Sequence, residues 1–166
     1  MRANDLAVLR SGRIVVVSDN YAQPSLFILT QYMTNGQLDT GFGSNGVAQT
    51  AIHKIASATA IAQQADLKLI VAGWARDWSY PNEFHFVALA RYLPNGQLDG
   101  TFGNGGIVTF PGTQNLSVTS LKILASGSIL PGAEVELLSV LAPLRRGRYT
   151  LDVAVDIGAA SPVKGS

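Results

Sequence analysis

One stretch of this chain occurs twice, with the two copies in register. Residues 31–47 contain NGQLDTGFGSNG, and residues 91–107 contain NGQLDGTFGNGG. Asn35 and Phe42 recur 60 positions later as Asn95 and Phe102. A fixed period of this length marks an array of supersecondary units that bury their apolar faces against one another. The chain is therefore predicted to be a small repeat array.

The composition favours strands and excludes several classes of partner. Charged residues make up 14% of the chain, against roughly 25% in typical soluble domains. The net charge of +1 provides no basic field for phosphates, so no nucleic-acid partner is predicted. The chain has no cysteine and no apolar stretch long enough for a membrane span, and its N-terminus has no apolar stretch of signal-peptide length. We expect a soluble chain that is not exported by a conventional signal.

Short apolar runs separated by turn residues predict an all-β fold of four-stranded repeat units. In the first unit, about residues 5–50, the predicted strands are 6–9, 13–17, 26–32 and 47–50. In the second unit, about residues 57–110, they are 59–63, 68–73, 84–92 and 107–110. The pair Asn35-Gly36 is predicted to turn the chain, because both residue types tolerate positive φ.

A third, degenerate unit is predicted over about residues 117–156. It begins with a strand at 117–121, and 126–129 matches the second strand of the repeat. Segments 134–141 and 149–155 are assigned as its last strands, with a short helix as the alternative for 134–141. The prediction is one repeat-built β domain over residues 1–156, followed by a flexible tail at 157–166.

The pattern F-x-L-A-R-Y-x-x-N-G-x-L-D-x-x-F-G-x-x-G, at residues 86–106 and more loosely at 27–46, resembles the bacterial delta-60 repeat family. Residues 62–73 are similar to that family's A-x-Q-x-D-G-K-I-L-V-A-G strand pair, with Leu67 in place of the turn glycine. The resemblance implies propeller-like blades, a bacterial surface or secreted setting, and no assigned chemistry.

The number of units has a consequence for assembly. A propeller has four to eight blades, so a chain with two clear units and a third degenerate one is either a fragment of a larger array or, as we expect, a homo-oligomer. Two chains of three units each would close a six-bladed ring. The alternative fold is a β-trefoil or β-prism, in which three four-stranded units close within one chain.

The repeated motif is predicted to be structural. Its turn and loop residues are Asn35, Gly36, Asp39, Gly43, Asn95, Gly96, Asp99 and Gly103. Each aspartate is predicted to accept hydrogen bonds from backbone amides in its own loop, since one carboxylate per loop is too few for calcium. Phe42 and Phe102 are predicted core plugs between blades. The G-x-G-x-x-G match at 41–46 precedes a strand and not a helix, so no nucleotide is predicted; no metal or cofactor is predicted either.

The most informative polar cluster is a predicted loop over residues 74–83, where the second unit is five residues longer than the first. Aromatic rings beside Asp, Asn and Arg suit a sugar, which stacks on the rings and bonds to the polar groups. The candidate ligand-binding residues, from this loop and its shorter equivalent in the first unit, are Asn20, Tyr21, Trp74, Arg76, Asp77, Trp78 and Tyr80. The two tryptophans are also compatible with packing between blades or with a subunit contact.

These features predict a non-enzymatic, lectin-like recognition or assembly module that contacts a glycan or a protein surface. One alternative is a glycan-active enzyme with carboxylates from Asp19, Asp77 and Glu83, which would have to face one cleft. Another is a structural component of a surface or toxin-like assembly. His53 and His85 are predicted to be structural or solvent-facing.

Overall fold

The structure is a computed structural model that describes residues 2–19, 25–79, 82–112, 116–124, 142–144 and 148–156. Within these ranges the chain consists of strands, turns and connecting segments, which confirms the predicted all-β class. No helix in these ranges is long and apolar enough to cross a membrane.

Both predicted four-stranded units are present as antiparallel sheets whose strands follow one another in chain order. The first sheet contains β1 (Arg2–Val8), β2 (Ile14–Asp19), β3 (Phe27–Tyr32) and β4 (Val47–Thr50). The second sheet contains β5 (Ile55–Gln63), β6 (Leu69–Ser79), β7 (Asn82–Tyr92) and β8 (Ile107–Gly112).

The Asn-Gly turns are present, although only their glycines have positive φ. Gly36 has φ +81° and Gly96 has φ +85°. Asn35 contributes its side chain, because its Oδ1 accepts a 3.0 Å hydrogen bond from the amide of Gln37. Asn95 does the same for Gln97 at 3.1 Å. The predicted turn is therefore confirmed, with a side-chain hydrogen bond at each asparagine and positive φ at each glycine.

The predicted loop over residues 74–83 is instead the end of a long β-hairpin. β6 and β7 remain paired from Leu69 opposite Tyr92 to Ser79 opposite Asn82. Aromatic and charged side chains occur on both strands, and those that pair across the strands project from the same face of the hairpin. The five additional residues thus lengthen two strands and do not form a loop.

The two sheets pack face to face through one apolar cluster. The first sheet and its loop contribute Val15, Val17, Phe27, Leu29 and Phe42. The second sheet contributes mainly small or aliphatic residues: Ala56, Ala58, Ile61, Leu69, Val71, Ala75, Ala88, Ala90 and Tyr92. Small residues on one face let the sheets approach closely, as the blades of a propeller do. The predicted burial of Phe42 and Phe102 is confirmed, each in a separate cluster.

The first strands of successive units lie next to one another. β5 contacts β1 on one side and β9 (Leu116–Leu124) on the other. The side chain of Asn4 donates a 2.7 Å hydrogen bond to the carbonyl of Ala58. The amide of Ile61 donates a 2.9 Å bond to the carboxylate of Asp5. Side chains of β1 therefore form hydrogen bonds with backbone groups of β5, and the two units are joined along their first strands.

The third sheet departs from the predicted plan. It contains β9, β10 (Ala142–Leu144) and β11 (Arg148–Asp156), and β11 pairs with β9 in parallel. A strand was predicted at 149–155, but as the outer strand of an antiparallel unit and not as a neighbour of the first. The Asn-Gly turn and Asp-x-x-Phe-Gly loop that place the outer strand in the first two units do not recur here. The segments 126–129 and 134–141 and the tail 157–166 lie outside the described residues.

A register shift in β9 lies at the repeat position where β1 and β5 also have one. In β1 the pairing register skips Asn4, and in β5 it skips Thr59. In β9 the register skips Thr119. These three residues occupy the same position in the repeat, and bulges of this kind bend a strand locally. The first strand of the predicted third unit therefore has the same register shift, although its sheet topology differs.

Candidate functional site

The β6–β7 hairpin extends beyond the strands that flank it. β5 pairs with β6 only as far as Arg76, and β8 pairs with β7 only from His85 onwards. Residues 77–79 and 82–84, here called the hairpin tip, are paired only with each other. The tip is thus a two-stranded projection at one end of the second sheet.

Cross-strand pairing decides which side chains share a face of this hairpin. Residues paired across antiparallel strands project to the same side. One face, here called the tryptophan face, carries Trp74, Arg76, Trp78, Glu83 and His85. Asp77 and Phe84 pair with each other and project from the opposite face. The structure therefore brings three predicted site residues together and separates Asp77 from them. Asn20, Tyr21 and Tyr80 lie outside the described residues.

Two aromatic side chains are exposed at the tip. Trp78 is 42% exposed on the tryptophan face, and Phe84 is 49% exposed on the opposite face. Trp74, nearer the body of the sheet, is half-buried. Burying such rings would contribute favourable free energy, and exposed aromatics of this kind mark contact sites when they cluster.

The polar side chains of the tryptophan face lie close to one another. Arg76 Nη1 lies 2.9 Å from Glu83 Oε1. His85 Nε2 lies 3.6 Å from Glu83 Oε2. The guanidinium of Arg76 also lies over the ring of Trp74, 6.0 Å from its centroid. Glu83 thus holds two neighbouring side chains in place beside the exposed indole.

The connector between the first and second sheets contacts side chains on both faces of the hairpin. The ring of His53 stacks on Phe86 at a centroid distance of 4.1 Å, with its Nδ1 3.5 Å from Asp77 Oδ2. Lys54 donates a 2.5 Å hydrogen bond to the carbonyl of Trp78, and its Nζ lies 5.1 Å from the centre of that indole. His53 has φ +56°, an unfavourable conformation for a non-glycine residue that these contacts maintain. Sequence reasoning missed this role, because residues 51–54 carry no periodic signal.

The three carboxylates of the enzyme alternative do not face one cleft. Asp77 and Glu83 project from opposite faces of the hairpin. Asp19 Oδ2 accepts hydrogen bonds from Ser57 at 3.0 Å and from Asn4 at 3.3 Å, so it links β1 to β5. Each carboxylate has its own partners: Ser57 and Asn4 for Asp19, His53 and Lys54 for Asp77, and Arg76 and His85 for Glu83.

The predicted capping bonds of the repeated aspartates are present. Asp39 accepts a 3.2 Å hydrogen bond from the amide of Gly41, and Asp99 accepts one of 3.1 Å from the amide of Thr101. Each aspartate is also paired with a cation that the sequence analysis did not assign: Arg13 with Asp39 at 3.1 Å, Lys68 with Asp99 at 3.0 Å, and Arg91 with Asp99 at 2.8 Å.

These contacts determine the pKa of Asp99. Burial raises the pKa of this carboxyl, but hydrogen bonds from Thr101 and Lys68 and the charge of Arg91 outweigh it and hold the pKa well below its ordinary value of 3.8. Asp99 is therefore an ionised structural group that ties its loop to β7 and to the turn before β6.

Four-stranded antiparallel sheets, built from an in-register repeat and packed face to face, are characteristic of a β-propeller-like repeat protein. Residues 9–42 and 64–102 match the family described as "Domain of unknown function (DUF5122) beta-propeller". The two matched stretches lie within the first and the second repeat unit. No curated protein and no solved structure matches the chain. The family match supports the expected propeller-like repeat family, while the name delta-60 repeat rests on the motif resemblance alone.

Proposed function

We propose that this chain is a non-enzymatic recognition and assembly module whose hairpin tip inserts into a groove on a partner protein. The observation that carries the proposal is the exposure of Trp78 and Phe84 on opposite faces of a two-stranded projection. A partner that covers both rings has to contact both sides of the tip. A concave protein surface does so, whereas a flat surface reaches one side only.

The support around the tip fits this role. The ion pairs of Asp77 and Glu83 and the contacts of Lys54 hold the tip in one arrangement before any partner binds. Binding then loses less side-chain and backbone entropy than it would with a mobile loop. Tryptophan and arginine are also the residue types most enriched among the energetically dominant residues of protein interfaces.

Glycan binding is the second candidate, and one observation favours it. Trp74 and Trp78 project from the same face, with Arg76 between them. A sugar could stack on the indoles and bond to Arg76 or to Glu83. This mode uses the tryptophan face alone, so Phe84 would not contribute. The enzyme alternative receives less support, because its carboxylates have separate partners.

A photo-crosslinking experiment tests the proposal. The full-length chain carries benzoyl-phenylalanine at Phe84 or, as a matched control, at Leu67, which is 45% exposed in the turn at the other end of the second sheet. We expect a discrete protein crosslink from position 84 in the native cells and none from position 67. The same pattern from both positions, or no crosslink from position 84, would contradict the proposal.

A glycan array with three proteins separates the two candidates. The wild-type chain is compared with Trp78→Ala and Phe84→Ala. If the tip recognises a protein groove, no glycan is retained in a way that depends on Trp78. Specific retention that is lost with Trp78→Ala and kept with Phe84→Ala would instead establish the glycan mode.

A further inference from the structure

One face of the first sheet leaves apolar side chains of β1 uncovered, although Ser18 and Ile28 on the same face are buried. Strand pairing places Leu6 beside Val16, and Val8 beside Ile14 and Tyr32, on this face. Leu6 is 56% exposed and Val8 is 67% exposed. The opposite face of the same sheet packs on the second sheet. We call the uncovered side the open face.

The repeat shows which surface of the second unit is equivalent to the open face. Leu6 is equivalent to Ile61, 55 positions later, and Ile61 is only 7% exposed because it packs on the first sheet. Tyr32 is equivalent to Tyr92, 60 positions later; Tyr32 is half-buried, whereas Tyr92 is fully buried in the same interface. The open face is therefore the first sheet's copy of the face by which the second sheet docks.

The turn beside the open face shows the same relationship. In the second unit, the carbonyl of Asn95 accepts a 2.7 Å hydrogen bond from the amide of Gly43, and the ring of Phe42 lies against Gly96. Gly96 is consequently buried, whereas its equivalent Gly36 is exposed with no heavy atom near the position of a Cβ. The first unit thus presents the receiving half of an interface that the chain forms internally.

We propose that the open face seats a second copy of this chain in a head-to-tail arrangement. The surface that covers the equivalent face inside the chain is a repeat sheet, so the fitting partner is a chain that carries these repeats. The internal interface joins two different faces, which favours head-to-tail contact over the pairing of two open faces.

The order of the three sheets also indicates which sheet of the second copy contacts the open face. β9 packs on the second sheet through Val118, on the side away from the first sheet. The third sheet therefore lies on the far side of the second sheet from the first, and we place it against the open face of the next copy. Two copies joined at both ends form a closed ring, and closure ends further growth. This inference concerns the assembly part of the proposed function and does not depend on the hairpin tip.

Sedimentation equilibrium of the full chain over a dilution series tests the proposal. We expect a dimer of the wild-type chain. The double variant Leu6→Asp/Val8→Asp places two charges in the contact and should raise the dissociation constant by about a hundredfold or more. The control Leu67→Asp replaces another exposed apolar side chain, away from the open face, and should dimerise like the wild type. A monomer at every concentration, a polymer that grows with concentration, or an insensitive dimer would overturn the proposal.

A cysteine probe reports on the open face without disrupting it. The chain has no cysteine, so Val8→Cys introduces the only thiol. We expect its labelling by a maleimide dye to slow as the protein concentration rises, while Leu67→Cys labels at a constant rate. Equal labelling at all concentrations would overturn the proposal. Oxidative crosslinking of two Val8→Cys chains to each other would show two open faces in contact and overturn the head-to-tail arrangement.

Discussion

The amide nitrogen of Gly43 lies 2.7 Å from the carbonyl oxygen of Asn95, so the glycine loop of the first repeat closes on the Asn-Gly turn of the second. Both residues belong to the repeated motif, but Gly43 lies in the glycine loop of one copy and Asn95 lies in the Asn-Gly turn of the other. The loop of one unit meets the turn of the next. A contact of this kind can be continued from unit to unit, which explains why the turn and loop residues recur together.

Gly96→Ala tests this contact by stability. Gly96 has φ +85°, and a Cβ added there would lie 2.9 Å from both the Gly43 nitrogen and the Phe42 ring. We expect a loss of about 1–2 kcal/mol for the left-handed conformation and about 1–3 kcal/mol more for the clash between units. Urea unfolding monitored by circular dichroism measures the sum.

Gly36→Ala is the matched control. Gly36 has φ +81°, and a Cβ added there would meet no atom within 4 Å. It should therefore show only the conformational loss of about 1–2 kcal/mol. Both variants are measured below the concentration at which copies associate. Equal losses would mean that the turn of the second unit does not contact the first.

Asp99→Asn is expected to destabilise the fold by about 3 kcal/mol, because it leaves the buried guanidinium of Arg91 without its counter-charge. Asp39→Asn at the equivalent position should lose only about 1 kcal/mol, because the side chain of its partner Arg13 is 51% exposed. Urea unfolding at pH 7 compares the two variants. A larger loss at Asp39 than at Asp99 would show that the pairing with Arg91 is not what stabilises the second loop.

The pKa of Asp99 predicts an acid dependence. Because the folded-state pKa lies below the ordinary value of 3.8, the stabilisation is complete above about pH 3.8 and declines as the pH falls towards the folded-state pKa. The wild-type chain should lose free energy of unfolding in this acid range, and Asp99→Asn should lose less of it. Parallel acid profiles for the two proteins would contradict this assignment.

Tyr92 gives the opposite dependence at alkaline pH. Burial raises the pKa of its hydroxyl above the ordinary 10.0 and outweighs the effect of the 2.7 Å hydrogen bond that it donates to Thr50. The stabilisation is complete below pH 10 and declines as the pH rises, because the unfolded chain ionises first. Tyr92→Phe should lose about 1–2 kcal/mol at pH 7 but show a shallower decline above pH 10. The control Tyr32→Phe should lose about 0.5 kcal/mol or less of the free energy of unfolding. A steeper alkaline decline in stability for Tyr92→Phe than for the wild-type chain would refute the assignment.

Leu67 offers a stabilising substitution. It has φ +69°, and its equivalent in the first unit is Gly12, with φ +80°. Leu67 thus holds a conformation that favours glycine, and its side chain is largely exposed. Leu67→Gly should stabilise the chain by about 1 kcal/mol, since the strain removed exceeds the gain in unfolded-state entropy. A lower thermal midpoint for this variant would show that packing by Leu67 matters more than its backbone strain.

The repeated turns and the short strands could be predicted because local chemistry determines them. The alternation around Ile14–Asp19 and the turn at Gly36 depend on residues close in the chain. The same holds for the capping bond from Gly41 to Asp39. Because the motif recurs 60 positions later, the second unit could be predicted from the first.

The hairpin tip and its support depend on distant partners and were therefore missed or mistaken. Residues 74–83 have the polar and aromatic composition of a loop, and only the pairing of Trp78 with Glu83 makes them a strand. The stacking of His53 on Phe86 depends on how the two sheets meet. No local pattern in the connector indicates that contact.

Whether the two repeats share one core is tested most directly by a change in the first unit that is read out in the second. Both tryptophans, Trp74 and Trp78, belong to β6, so their fluorescence reports unfolding of the second sheet alone. We expect Phe42→Leu, in the first repeat, to cost about 1–2 kcal/mol and to lower the urea midpoint by fluorescence and by circular dichroism equally. A fluorescence midpoint that stays at the wild-type value while the circular dichroism midpoint falls would show that the sheets unfold separately, contradicting the shared core.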